Sequence, residues 1–181
     1  ERKVQHGLGS PMDTALATYG GYLQIARETA PLALPPLEIV VGYTKMAHDT
    51  KSEVEKVQDL KKRYFDVVDP IFQAIGAISK QAVPLIREQS TAELGCLMNI
   101  NHGLLEALGV SSRELDELVY AARGAGGAFG AKLTGAGGGG CMIALPGPTG
   151  TDALMVALRQ ARGVPFKVMT GCEGVRLEGE P

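Results

Sequence analysis

Residues 132–145 read KLTGAGGGGCMIAL. Five glycines fall within residues 135–140, and nine of the chain's 24 lie between Gly124 and Gly140. Glycine loses more backbone freedom on folding than any other residue, so a run of this density needs something that only glycine supplies. Without Cβ atoms, successive N–H groups can turn toward one anion at close range and form a nest for a phosphate or a developing oxyanion. Flexible linkers are also rich in glycine, but they sit among serines, prolines and charges. This run is bounded by Leu133 on one side and Met142–Leu145 on the other, apolar residues of strand type. A functional loop held between two short strands, over 128–135 and 141–145, is therefore expected.

Two familiar phosphate loops do not fit. A Walker A loop places Lys-Ser/Thr after its last glycine, whereas Cys141 follows here. Residues 135–140 satisfy GxGxxG literally, but a dinucleotide-binding reading also needs a helix opening at the glycines and an acidic residue about 20 positions on. A strand follows instead, and no suitable acid is placed there.

Outward from the loop, helices dominate. Residues 50–65 open with Thr50 and Glu53 at capping-box spacing, and residues 111–123 repeat the device with Ser111 and Glu114. Between them, residues 69–89 carry Ile71, Ile75, Ile78, Ala82 and Leu85 at helical spacing, with a possible kink at Pro84. Residues 91–108 carry Leu94, Leu97, Met98, Leu104, Leu105 and Leu108 in the same way. LEIVVGY (37–43) reads as a buried strand, 151–161 as a helix, and 165–170 and 174–178 as closing strands. Toward the start, a short helix from Pro11 ends at Gly20–Gly21 and Tyr22–Ala26 reads as a strand. TAPLALPP (29–36) holds three prolines in eight residues, which predicts irregular structure and a domain boundary. Few strands separated by helices indicate an α+β fold.

Composition excludes several classes. A net charge of −2 argues against binding nucleic acid through its phosphates. The three cysteines, Cys96, Cys141 and Cys172, are widely spaced and odd in number, which fits reduced thiols in the cytoplasm. No apolar run approaches the roughly 20 residues that span a bilayer, and no signal peptide is visible. The chain begins at Glu1 in a charged segment without Met, which reads as an internal start.

A second informative stretch is VQHGLGSPMDTALATYGG (4–21). Alone, Asp13 reads as a cap or an Asx turn. Beside a phosphate loop it gains another reading, because a kinase acting on an alcohol needs a carboxylate to accept or orient the hydroxyl proton.

The 132–145 stretch closely resembles the third conserved motif of the GHMP kinases, the superfamily named for galactokinase, homoserine kinase, mevalonate kinase and phosphomevalonate kinase. A fourth glycine followed by Cys is most similar to the mevalonate kinase group; phosphomevalonate kinases often carry an acidic residue there. Residues 4–21 resemble the archaeal stretch of that group in which the Asp of an SP-x-DT run is the proposed catalytic base, a role that carries over to Asp13. GLGS (7–10) is not the superfamily's GLGSS motif, because Pro11 follows and the flanks belong to the acidic motif. Residues 38–57 and 97–123 resemble, respectively, the opening strand and helix and the long helical pair of the C-terminal domain.

The resemblance implies a remnant of the N-terminal lobe at 1–34 and a GHMP C-terminal domain at 35–181, a ferredoxin-like β-sheet with helices packed on one face. It implies transfer of the ATP γ-phosphoryl to the 5-hydroxyl of mevalonate, with Mg²⁺ on the nucleotide. Thr134, Gly135, Ala136, Gly137, Gly138 and Gly139 would form the substrate and phosphate loop, and Glu1 aligns with a Mg²⁺ ligand. The expected partner is a small-molecule substrate in a cytoplasmic homodimer, with neither nucleic acid nor membrane. The lobe with the GLGSS loop and its lysine has no counterpart in these 181 residues, so the isolated chain is expected to be inactive. Phosphomevalonate kinase, and a noncatalytic ligand-binding or dimerisation module, are the alternatives.

Overall fold

Pairs of glycines and prolines set the ends of the first elements. In the computed structural model, which describes residues 12–25, 28–125 and 127–176, α1 (Met12–Tyr19) stops at Gly20 and Gly21. Both adopt left-handed φ, +64° and +62°, which only glycine takes without strain. A Cβ on Gly20 would lie 2.1 Å from the Gly174 nitrogen, so the backbones of these residues also touch too closely for any side chain. β1 (Tyr22–Ile25) and β2 (Thr29–Leu32) then pair antiparallel, with Leu23 opposite Pro31. The expectation of irregular structure across 29–36 fails for its first half. A two-stranded ribbon leaves each strand one edge without a ladder partner, and a proline is tolerated where its missing N–H would face away.

These elements belong to one of two compact units, residues 1–37 together with 169–181. Within it, Thr170 donates its backbone N–H to the Leu37 carbonyl (2.9 Å) and its hydroxyl oxygen accepts the Leu37 N–H (2.8 Å). The Tyr22 hydroxyl contacts the same Thr170 oxygen and reaches the Pro35 carbonyl at 2.9 Å. Glu173 bridges Gly20, but 174–176 form no strand, contrary to the reading of 174–178; the rest of that segment lies outside the described residues.

The second unit, Glu38–Val168, holds the sheet. Its elements are β3 (Glu38–Tyr43), α2 (Thr50–Arg63), α3 (Phe65–Arg87), α4 (Thr91–Ala107), α5 (Arg113–Arg123), β4 (Gly130–Leu133), β5 (Cys141–Leu145), α6 (Gly150–Gln160) and β6 (Val164–Met169). The strands lie in the order β4-β5-β3-β6, the split βαβ arrangement of ferredoxin-like folds. Register puts Val40 opposite Ala144, Gly42 and Leu133 opposite Met142, and Ala131 opposite Ala144. These six residues are buried and share one face, following the period of two along each strand. Leu115, Leu118, Val119 and Ala122 of α5 and Leu154 and Leu158 of α6 close over that face. Each fully buried leucine contributes about 1.5–3 kcal/mol.

Both caps differ from the capping-box reading by one residue. Asp49, not Thr50, accepts the Lys51 N–H at the start of α2, and Ser112, not Ser111, accepts the Leu115 N–H at the start of α5. The displaced residues find other work: Glu53 is buried beside the glycine loop, and the Ser111 hydroxyl bonds Asp116. Pro70 and Pro84 both lie inside α3.

β4 is an edge strand, and α4 closes that edge with side chains. Asn99 accepts the Ala131 N–H (3.0 Å) and donates to the Phe129 carbonyl (3.3 Å), while His102 Nδ1 accepts the Leu133 N–H (3.4 Å). An exposed edge invites pairing with other chains; here polar helix residues occupy it. Gly95 allows the approach, since a Cβ there would lie 2.5 Å from the Phe129 carbonyl carbon.

Candidate active site at the glycine loop

β4 and β5 are adjacent antiparallel strands, and residues 134–140 form the turn between them. Gly135, Gly137, Gly138, Gly139 and Gly140 all have positive φ, from +72° to +154°. At four of these positions space is closed as well, a Cβ on Gly139 meeting the Met46 carbonyl oxygen at 3.0 Å. A Cβ would lie 1.9 Å from the Val110 carbonyl oxygen at Gly137, 2.9 Å from a Glu53 carboxylate oxygen at Gly138, and 3.0 Å from the His48 ring at Gly140. Gly135 faces open space. The loop is therefore a clamped structure, as its apolar flanks predicted, and not a linker.

Two layers hold it. Val110, just after α4, accepts the Gly138 N–H at 2.8 Å. The segment between β3 and α2 supplies the rest: Met46 accepts the Gly140 N–H (3.2 Å), and Thr44 donates both its N–H and its hydroxyl to the Gly140 carbonyl, each at 2.9 Å. Lys45, in the same segment, has φ +65°, a conformation that costs a non-glycine residue about 1 kcal/mol. Thr134 donates its N–H to the Cys141 carbonyl (3.0 Å) and closes the neck.

With those bonds made, the N–H groups of Gly135, Ala136, Gly137 and Gly139 have no hydrogen-bond partner among the described residues. Gly137 and Gly139 are buried residues, where a donor gains most from an acceptor that a ligand brings. Four amides without a partner in one short loop are candidate donors to an anion. Of the loop residues expected from sequence, these four present amides, whereas Thr134 and Gly138 have theirs engaged. An apolar cavity of about 410 Å³ opens beside the loop, lined by Val57, Phe72, Ile75 and Leu105, with Gly135 and Ala136 at its edge. A cleft of about 810 Å³ around Arg113, Tyr120 and Arg162 shares no residue with the loop.

Neither Glu53 nor Cys141 is poised to act as a general base at the loop. Glu53 pairs with Lys56 at 2.6 Å, and burial pushes the Cys141 thiol up, away from a reactive thiolate. Burial also pushes the Lys132 ammonium down to about 8; its Nζ donates to the Leu133 carbonyl at 2.7 Å. Asp13 lies in the other unit, exposed in the first turn of α1, where a carboxylate is favoured by the helix dipole. Glu1 and His6 lie outside the described residues.

Sequence reading missed the supports of the loop: His48, Glu53, Asn99 and His102. The last two had a visible signal, polar residues three apart on the helix that also buries Leu94 and Met98. His48 and Glu53 had none, because only the tertiary fold brings them to the loop.

Residues 82–161 match the model of the GHMP kinase C-terminal domain. The mevalonate kinase of Pyrococcus horikoshii is 44% identical over 178 residues, covering 95% of this chain and 52% of that protein. That of Aeropyrum pernix is 34% identical over 180 residues, covering 97% and 55%. Among solved structures, L. major mevalonate kinase in complex with R-mevalonate superimposes with a TM-score of 0.82 at 28% identity, covering 92% of this chain and 55% of that one. Methanococcus jannaschii mevalonate kinase gives 0.80 at 28%, covering 96% and 53%. Streptococcus pneumoniae phosphomevalonate kinase shares the fold at 17% identity. The chain spans about half the length of the curated relatives it matches. With this loop, this sheet order and these relatives, the chain carries a GHMP kinase C-terminal domain.

Proposed function

We propose that the protein carrying this chain phosphorylates the 5-hydroxyl of mevalonate from ATP, giving 5-phosphomevalonate. The observation that carries this reading is the clamped loop with four unpartnered amides, in a chain similar to mevalonate kinases over most of its length. Phosphoryl transfer rests on positioning and charge stabilisation. Gly135, Ala136, Gly137 and Gly139 offer amides to the phosphoryl oxygens, and Thr134 and Gly138 hold the loop's shape. Asp13 accepts or orients the hydroxyl proton. Mg²⁺, when bound to the nucleotide, neutralises phosphate charge; Glu1 is the carboxylate proposed to hold it. The domain division at 34/35 and a cytoplasmic homodimer belong to the same proposal. No described helix is long and apolar enough to cross a membrane.

The test is Asp13→Asn in the full-length protein that includes residues 1–181. Loss of proton acceptance lowers kcat by about 10²–10⁴-fold, with the thermal midpoint unchanged because Asp13 is exposed. Wild-type turnover by the variant removes Asp13 from the mechanism.

A further inference from the structure

His102 is the largest unexplained polar side chain in the core. It is fully buried on α4, its Nδ1 accepts the Leu133 N–H, and its Nε2 has no hydrogen-bond partner within bonding geometry among the described residues. Nε2 faces two carboxylates, Asp116 Oδ1 at 3.4 Å and Glu106 Oε1 at 3.8 Å. His102, Glu106 and Asp116 bring three ligating atoms close together, which suggests a cation site. The chemistry on the other side of the ring argues against it. A metal-bound imidazole donates its second N–H to an acceptor, whereas here the second nitrogen accepts from a backbone donor. A neutral ring that accepts at Nδ1 carries its proton on Nε2, which is then no ligand.

We propose that His102 is a positioning residue for the glycine loop, held in the Nε2–H tautomer by Asp116 and Glu106 so that its Nδ1 lone pair fixes the Leu133 amide. Leu133 is the last residue of β4 and the loop follows it directly. Its N–H lies on the open edge of the strand, so without this acceptor the neck of the loop would carry an unpaired buried donor. Asp116 is itself fixed by the Ser111 hydroxyl, which ties the relay to the start of α5. The charged groups facing the ring are Arg123 and Asp116 from α5, Glu106 from α4 and Lys132 from β4. Burial, the largest influence, and the Arg123 charge hold the ring neutral down to about 4, which keeps the acceptor available at ordinary pH. The loop's part in phosphoryl transfer rests on the function proposed above; the tautomer does not.

The experiment is long-range ¹H–¹⁵N correlation of the histidine rings in the intact chain, with amide exchange of Leu133–Gly140 in the wild type, His102→Leu and His102→Asn. The expected result is a protonated Nε2 and an unprotonated Nδ1 for His102. Leu133 and loop amides exchange at least tenfold faster in His102→Leu, and return to within about threefold of wild type in His102→Asn, whose Oδ1 can accept in place of Nδ1. In the full-length protein His102→Leu lowers kcat at least tenfold with the mevalonate KM changed less than threefold. A proton on Nδ1, a zinc ion that displaces the Nε2 proton, or loop exchange unchanged in His102→Leu overturns the proposal. Absence of turnover in the unsubstituted protein counts against the kinase reading, and the tautomer and exchange results still decide this one.

Discussion

Substituting alanine at Gly137 and at Gly135 separates a clamped loop from a flexible one. Both residues have positive φ, +88° and +79°, so each alanine incurs about 1–2 kcal/mol of backbone strain. Removing glycine also restricts the unfolded chain and returns about 0.4–1 kcal/mol. At Gly135 nothing else opposes the methyl, because the Cβ position is open; the net cost is about 1 kcal/mol. At Gly137 the methyl would lie 1.9 Å from the Val110 carbonyl oxygen, the same oxygen that accepts the Gly138 N–H. Relief requires the loop and the end of α4 to part. That adds about 1–3 kcal/mol of overpacking and about 1 kcal/mol for the lost hydrogen bond. Gly137→Ala should therefore cost about 3–5 kcal/mol in all, at least about 2 kcal/mol more than Gly135→Ala. Urea unfolding of the two variants, followed by far-UV circular dichroism at constant m-value, measures the difference. Equal midpoints would refute the claim that Val110 clamps the loop.

Other consequences follow from single groups. Lys132 titrates near 8 in the fold against 10.5 when free, because burial disfavours its charge. Between those values the unfolded chain holds a proton that the native chain has lost, so stability rises with pH across the window, by as much as about 3 kcal/mol. Lys132→Met should remove that rise, which urea midpoints at pH 7.5 and 10.5 would show. His102 is depressed from 6.5 to about 4, so its contribution is present above 6.5 and is lost as pH falls toward 4; His102→Asn should flatten that acid limb in the same assay. Asp49→Ala removes the cap on the Lys51 N–H and should cost about 1 kcal/mol, whereas Thr50→Ala should cost less.

Much of this architecture was legible in the residues. The alternation in EIVVGY and CMIAL, and the helical periods of α3 to α5, come from burial on one side of each element, which a sequence records directly. The glycine loop was legible for a related reason: left-handed φ and backbone contact both demand glycine, and five such demands lie together. Cap positions slipped by one residue because Asp49 and Thr50, or Ser111 and Ser112, are equally able caps, and the path of the preceding loop decides between them. β2 was missed because proline content was read without knowing that the strand has a free edge. The supports of the loop were hidden for a different reason. His48 and Glu53 meet Gly140 and Gly138 across more than 80 residues of chain, and nothing local to either residue announces that meeting.

The activity proposed for the full-length protein is transfer of a phosphoryl group to the 5-hydroxyl of mevalonate. Its most direct test is side-by-side turnover of mevalonate and phosphomevalonate with ATP and Mg²⁺ by the full-length protein that includes residues 1–181, with products identified by mass. The expected result is 5-phosphomevalonate from mevalonate, and a kcat/KM for mevalonate at least about 100-fold above that for phosphomevalonate, a discrimination of roughly 2.7 kcal/mol. A preference for phosphomevalonate would contradict it.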